Sequence, residues 1–237
     1  MHQREMFGPG KIPMFYPGEL HVITGPTGSG KTQTALKATL PMLTEHEGWC
    51  IDFIDGDDSE DRIHQFAHSL VKKKHFSSLA NLTIRSSPDP KHLMDCEKSE
   101  DLLGWFTEHK SEFELTRSIF IVDNLHVLAH TLCEGLGIEY GYNKASRMLK
   151  ELSNMGPTVI ANAQGADGTS FGPLCGSANV VYEVKREVGL DDVRRLDIRK
   201  NRLGARTWNK KGTKICIVGA QSFELVKRAP RETWSPR

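Results

Sequence analysis

Gly25-Pro26-Thr27-Gly28-Ser29-Gly30-Lys31-Thr32 matches the pattern G-x-x-x-x-G-K-[ST] at every fixed position. Its flanks suit the chemistry: the apolar run Leu20–Thr24 precedes it, and a helical pattern follows from Lys31. Glycines let the backbone turn tightly and aim N–H groups at phosphate oxygens. The helix start adds the positive end of its dipole. Lys31 supplies a point charge to the β- and γ-phosphates and Thr32 a hydroxyl to Mg²⁺, with Gln33 closing the cradle in the helix's first turn. The implied cofactors are ATP and Mg²⁺.

Outward from this stretch, short apolar runs alternate with amphipathic ones. Leu20–Thr24, Trp49–Ile54, Leu82–Ser86, Ser118–Asp123, Thr158–Ala163 and Val180–Val184 read as strands, and most are apolar enough for burial on both faces. Arg194–Arg199 and Ile215–Val218 follow without helices between them. Helices are expected from Lys31 to about Leu40, ending near Pro41, at Ser59–Lys74 and at Asn143–Asn154. The alternation predicts an α/β fold: a mostly parallel twisted sheet, helices on both faces, and antiparallel C-terminal strands. One core over residues 16–226 is expected, with a short extension at 1–15 and a basic tail at 227–237.

Ser118-Ile119-Phe120-Ile121-Val122-Asp123 is an apolar strand ending in a carboxylate, roughly ninety residues after Lys31. In a P-loop fold such an Asp holds Mg²⁺ through its water shell, so Asp123 joins Thr32 as a metal residue. The strand Cys50–Ile54 runs into Asp55-Gly56-Asp57-Asp58-Ser59-Glu60-Asp61, with five carboxylates. Residues just past a parallel strand's carboxyl end face the ligand crevice, which nominates Asp57 to activate the attacking water. Asp58 or Ser59 suits a helix cap.

Composition narrows the class. The chain has 237 residues, 38% hydrophobic and 26% charged, with a formal net charge of +1. No apolar stretch reaches the roughly 18–20 residues of a membrane span, and the N-terminus lacks a signal-peptide h-region. Five separated cysteines without a CxxC pair fit a reducing cytoplasm. Residues 185–214 carry eleven Lys/Arg against four Asp/Glu. A Rossmann reading is excluded because the glycines spell a P-loop, and a nucleotide kinase would need clustered lid arginines.

These motifs together resemble the RecA-type core shared by DnaB-type ring helicases, RadA/Sms recombination ATPases and the KaiC family. The resemblance covers about Tyr16 to Phe223. Tyr16-Pro17-Gly18-Glu19-Leu20 is similar to the shared lead-in to the P-loop. Ile51–Ser59 is similar to the strand ending in Glu-Glu-Ser or Glu-Met-Ser, with the catalytic Glu falling on Asp57; the shorter Asp is a departure. Ala145–Leu152 resembles the helicases' Ser-Arg-x-Leu-Lys-x-Leu helix, and Gln164 falls on their polar sensor. Arg199-Lys200-Asn201-Arg202-Leu203-Gly204 resembles the RadA Lys-Asn-Arg-Phe-Gly motif. In those families the Lys and Arg reach a neighbouring subunit's ATP, which implies trans roles for Lys200 and Arg202 in a ring or filament. An arginine finger is typically worth roughly 10³–10⁵ in rate.

The resemblance implies a bare motor domain, without primase-binding, zinc-finger or protease-like parts. The resemblance also implies a reduced form of a kind that phage genomes often encode. The first expectation is an oligomeric DNA-dependent ATPase, a DnaB/RadA-like helicase of replication or recombination. Single-stranded DNA would pass the glycine-rich stretches 128–142 and 165–175, where Tyr140, Tyr142 and Phe171 offer faces for base stacking. The alternatives are a KaiC-like assembly or signalling module that does not translocate, and a recombination accessory ATPase without unwinding activity.

Overall fold

A computed structural model describes residues 14–55, 60–86, 103–104, 107, 110–133, 135–165, 172–186, 193–202, 213–218 and 222–227. The strands are β1 (Leu20–Gly25), β2 (Cys50–Asp55), β3 (Leu82–Ser86), β4 (Ser118–Asp123), β5 (Thr158–Gln164), β6 (Val180–Arg186), β7 (Val193–Asn201), β8 (Thr213–Val218) and β9 (Ser222–Lys227). They form one sheet in the order β3-β2-β4-β5-β1-β6-β7-β8-β9. Pairing is parallel from β3 through β6 and antiparallel from β6 through β9. The expected mixed sheet is therefore present, with β9 as an additional strand where the sequence pattern marks none.

Six helices accompany the sheet among the described residues: α1 (Lys31–Glu45), α2 (Glu60–Leu70), α3 (Glu112–Leu115), α4 (Leu125–Thr131), α5 (Ile138–Asn154) and α6 (Gly172–Ser177), with a 3₁₀ segment at Lys73–Asn81. The strand period of two sorts side chains into two cores. Ile119 and Ile121 join Ile23, Ile160 and Leu36 on the α1 face, whereas Phe120 and Val122 join Leu20, Ala161, Leu128 and Leu149 on the α4/α5 face. Burial on both sides explains why β1, β4 and β5 are almost continuously apolar.

Three expectations are corrected. The helix expected at Ser59–Lys74 ends at Leu70, and a 3₁₀ segment follows at Lys73–Asn81. Helix α1 does not stop before Pro41 but carries it inside and runs to Glu45. Proline has no N–H to donate to the carbonyl four residues back. Met42 and Leu43, both 6% exposed, enter the core only if the helix continues, and that burial wins. The stretch 128–142 is not an open loop. Helix α4 runs through Thr131 and α5 begins at Ile138, five residues before the expected start at Asn143. Gly141 is there for packing: a Cβ on it would lie 1.9 Å from the Ala129 carbonyl oxygen, so its absence lets α5 press against α4. Tyr142 is 6% exposed with its hydroxyl 2.5 Å from His126 Nδ1, so its ring is closed to stacking on bases. Of the stretch 165–175, residues 166–171 lie outside the described ones, Phe171 included, and α6 begins at Gly172.

One buried titratable group ties β1 to the chain before it. His21 is wholly buried, edge-on to Phe15 and stacked on Tyr16, with Nε2 3.0 Å from the Tyr16 amide nitrogen and 3.1 Å from its carbonyl oxygen. Burial above all lowers its pKa from 6.5 to about 4. A depressed histidine pKa means the unfolded chain binds the proton more readily. Stability is then fully present above pH 6.5 and is lost as pH falls from there towards 4, by up to about 3 kcal/mol. Urea midpoints should fall from pH 7.5 to pH 5 in the wild type and stay nearly level in His21→Phe. A level wild-type curve would remove His21 as the acid-sensitive group.

Candidate functional site

The P-loop joins the carboxyl end of β1 to α1, as its glycines require. Gly25, Gly28 and Gly30 have φ of 153°, 70° and 94°, all disfavoured for a residue with a Cβ. At Gly25 space is also lacking, because a Cβ would meet the Val184 carbonyl oxygen of β6 at 2.4 Å. The loop thus lies against its neighbouring strand, and Gly30 caps α1 from the left-handed region. No carboxylate occupies the first turn of α1, which leaves its dipole for an anion.

Lys31 is 7% exposed, and its ammonium donates to the carbonyls of Gly25, at 3.0 Å, and Pro26, at 2.9 Å. The Thr32 hydroxyl donates to Asp123 Oδ2. Two residues far apart in sequence, one opening a helix and one ending β4, therefore meet at hydrogen-bonding distance. Gln164 ends β5 in register with Gly25 and lines the same cleft of about 700 Å³. Thr27, Gly28 and Gln33 line it too. The structure brings together Lys31, Thr32, Gln33, Asp123 and Gln164. Asp57 lies outside the described residues; the strand before it ends at Asp55, in register with Asp123.

The donor set fits a magnesium nucleotide. A buried ammonium rests on neutral carbonyls, which an anionic phosphate would outbid electrostatically. The Thr32 hydroxyl and Asp123 carboxylate are hard oxygen ligands of the type Mg²⁺ takes, directly or through water. Ser29 adds a hydroxyl that is 1% exposed and has no hydrogen-bond partner among the described residues.

Three cleft residues escape a reading of the sequence. Arg62 and Gln65 come from α2, three apart and hence on one helix face. Arg194 comes from β7, with Nε 3.6 Å from where a Gly30 Cβ would sit. Lys37, further along α1, is 8% exposed; burial first, then the Arg194 charge, lowers its pKa. The signal for Arg194 lay in the basic stretch, but only the antiparallel register with β6 says which of its cations turns back to the P-loop.

Lys200 and Arg202 sit at the other end of β7. Val181 pairs with Lys200 and Val180 with Asn201, and Val180 in turn pairs with His21, near the start of β1. Six residues of strand put Lys200 roughly 20 Å from Arg194, away from its own cleft. Its ammonium donates to the carbonyls of Cys175 and Gly176, the latter at 2.9 Å, near the end of α6. Burial, then Arg202, lowers its pKa. The Arg202 side chain is exposed, while its backbone amide donates to the Asn179 carbonyl at 2.9 Å.

Among the described residues no helix is long and apolar enough to cross a membrane. No protein-family profile matches the chain. No curated protein matches it in sequence. Solved structures do match its fold. The KaiC-like protein PH0186 from the hyperthermophilic archaeon Pyrococcus horikoshii OT3 is similar at a TM-score of 0.67 and 17% identity, over 94% of this chain and 98% of that one. A second solved structure, an ATPase domain, is similar at a TM-score of 0.56 and 15% identity, over 80% and 79% of the two chains. With its P-loop, its strand order and these likenesses, the chain has a RecA-like P-loop fold, with antiparallel strands closing one side of its sheet.

Proposed function

We propose that this chain is a Mg²⁺-dependent ATPase that works as a homo-oligomer, each site completed by a neighbour, and that it is a DnaB/RadA-like motor on single-stranded DNA. The observation that carries the ATPase reading is the Thr32–Asp123 contact beside the buried Lys31 ammonium. Bound Mg²⁺ would supply charge neutralisation at the transferred phosphoryl group. Lys31 exchanges its carbonyl partners for phosphate oxygens, and the glycine-rich backbone donates N–H groups. Asp57 orients the attacking water, and Gln164 relays the state of the γ-phosphate from the end of β5. Lys200 and Arg202 serve a neighbouring cleft, a reading supported by their distance from their own.

DNA contact is supported by the outer face of α5. Tyr140 is 40% exposed and Arg147 exposed on the same helix, seven residues on and so on one side. An aromatic face beside a guanidinium suits a base and its phosphate. Much of the basic strand β7 is otherwise engaged: Arg195 on Asp197, Arg199 on Glu183, Lys200 on α6. A second reading, a KaiC-like assembly or signalling ATPase, is favoured by the helices that take up both ends of the 128–142 stretch and by the buried Tyr142.

Steady-state turnover with and without single-stranded DNA separates the two. The motor reading expects stimulation by DNA that weakens steeply with salt, because phosphate contacts release counterions. It also expects Tyr140→Ala combined with Arg147→Ala to remove the stimulation. Turnover indifferent to DNA at every salt concentration would leave the assembly reading.

A further inference from the structure

Strand β5 holds one residue that neither packing nor sheet formation calls for. Asn162 is wholly buried, and neither its Oδ1 nor its Nδ2 has a hydrogen-bond partner among the described residues. Its strand neighbours are Ala161 and Ala163, also fully buried. An amide in this condition bears its desolvation cost without return, whereas an apolar side chain of the same volume would not.

Its place in the sheet gives the amide a use. Ile160, Asn162 and Gln164 alternate onto one face of β5. Ile160 packs in the core on the α1 side, and Gln164 lines the cleft. Across the sheet Asn162 is in register with Asp123 of β4 on one side and with Ile23 of β1 on the other. Asp123 and Asn162 therefore stand side by side beneath the P-loop helix, on strands about 4.8 Å apart. A carboxylate accepts at about four lone-pair positions, and the Thr32 hydroxyl is one donor to Asp123 among several it can take.

We propose that Asn162 is a positioning residue for the divalent-cation site, acting through Asp123. This rests on the Mg²⁺-nucleotide reading above. With a cation bound, a small rotation would let the Asn162 amide N–H donate to the neighbouring Asp123 carboxylate and hold its orientation, while Oδ1 would remain to accept from water there. A costly buried amide is retained in the strand because the loaded site employs it. Stability and metal affinity should therefore respond in opposite directions when it is removed.

The test uses the full chain, as wild type, Asn162→Leu and Asn162→Ala. Melting of the nucleotide-free protein is measured alongside affinity for a fluorescent ATP analogue in Mg²⁺ and in EDTA. Asn162→Leu should raise Tm by about 2–6 °C, since an unsatisfied buried amide is gone. Both variants should lose about tenfold of the affinity gained on adding Mg²⁺, as expected when a ligand's hydrogen-bonding partner is removed, with affinity in EDTA unchanged. A lowered Tm in Asn162→Leu, or a Mg²⁺ gain equal to wild type in either variant, would overturn the proposal. Where Asn162→Leu yields no folded protein, Asn162→Ala decides by its Mg²⁺ gain alone. A wild type that gains nothing from Mg²⁺ would instead remove the magnesium-nucleotide reading itself, before any variant is compared.

Discussion

Replacing Arg202 by alanine is expected to reduce ATP turnover by roughly 10³-fold or more while leaving nucleotide affinity near the wild-type value. Charge spreads over the equatorial oxygens of the transferred phosphoryl group in the transition state, and a guanidinium placed there stabilises it far more than the ground state. Arg202 has the exposure this requires, and β7 carries it away from its own P-loop. Its effect should therefore depend on assembly: wild-type turnover per subunit should rise with protein concentration, and Arg202→Ala should stay flat. Arg202→Lys should recover little, because an ammonium lacks the planar fork. Wild-type turnover per subunit that is independent of concentration would show a site complete within one chain.

Lys31→Ala should have an effect of similar size, by another route. Lys31 is the buried cation at the floor of the cradle, already desolvated and held on Gly25 and Pro26 by two hydrogen bonds. A donor prepared in this way loses little reorganisation energy when charge develops on the phosphates. Its removal should cost about 10²–10³-fold in turnover, the loss typical of one preorganised donor. Unlike Arg202→Ala, it should also weaken nucleotide binding, because the ammonium meets the ground-state phosphates. The folded state should tolerate the change, since truncation removes a buried charge from a site that opens onto the cleft. Equal effects on affinity in the two variants would contradict the division of labour between cradle and neighbour.

The parts of the molecule legible in its sequence are those governed by local rules. Gly25–Thr32 specifies backbone conformations that only glycine adopts easily, and the buried strands β1, β4 and β5 announce themselves by their mainly apolar character. Thr32 and Asp123 meet because the helix that opens at Lys31 starts beside the carboxyl end of β4. Where tertiary packing overrides local signals, the reading failed. Pro41 stays inside α1 because Met42 and Leu43 are worth burying, and Gly141 serves a helix crossing that depends on Ala129, twelve residues earlier. Arg62 and Arg194 reach the cleft through a helix rotation and an antiparallel register that no spacing in the chain encodes. Asn162 was invisible for the opposite reason, because a single polar residue in an apolar strand passes as ordinary variation.

The shared site is tested most directly by mixing two inactive proteins. Lys31→Ala has a damaged cleft and an intact Arg202, while Arg202→Ala has an intact cleft and no finger. Where a Lys31→Ala subunit presents Arg202 to the cleft of an Arg202→Ala subunit, a complete site is restored. ATP turnover measured across mixing ratios at constant total protein should rise from near zero at either end to a maximum near equal proportions. Turnover that stays at the level of the separate variants at every ratio, with mixed oligomers demonstrated, would contradict a site built from two subunits.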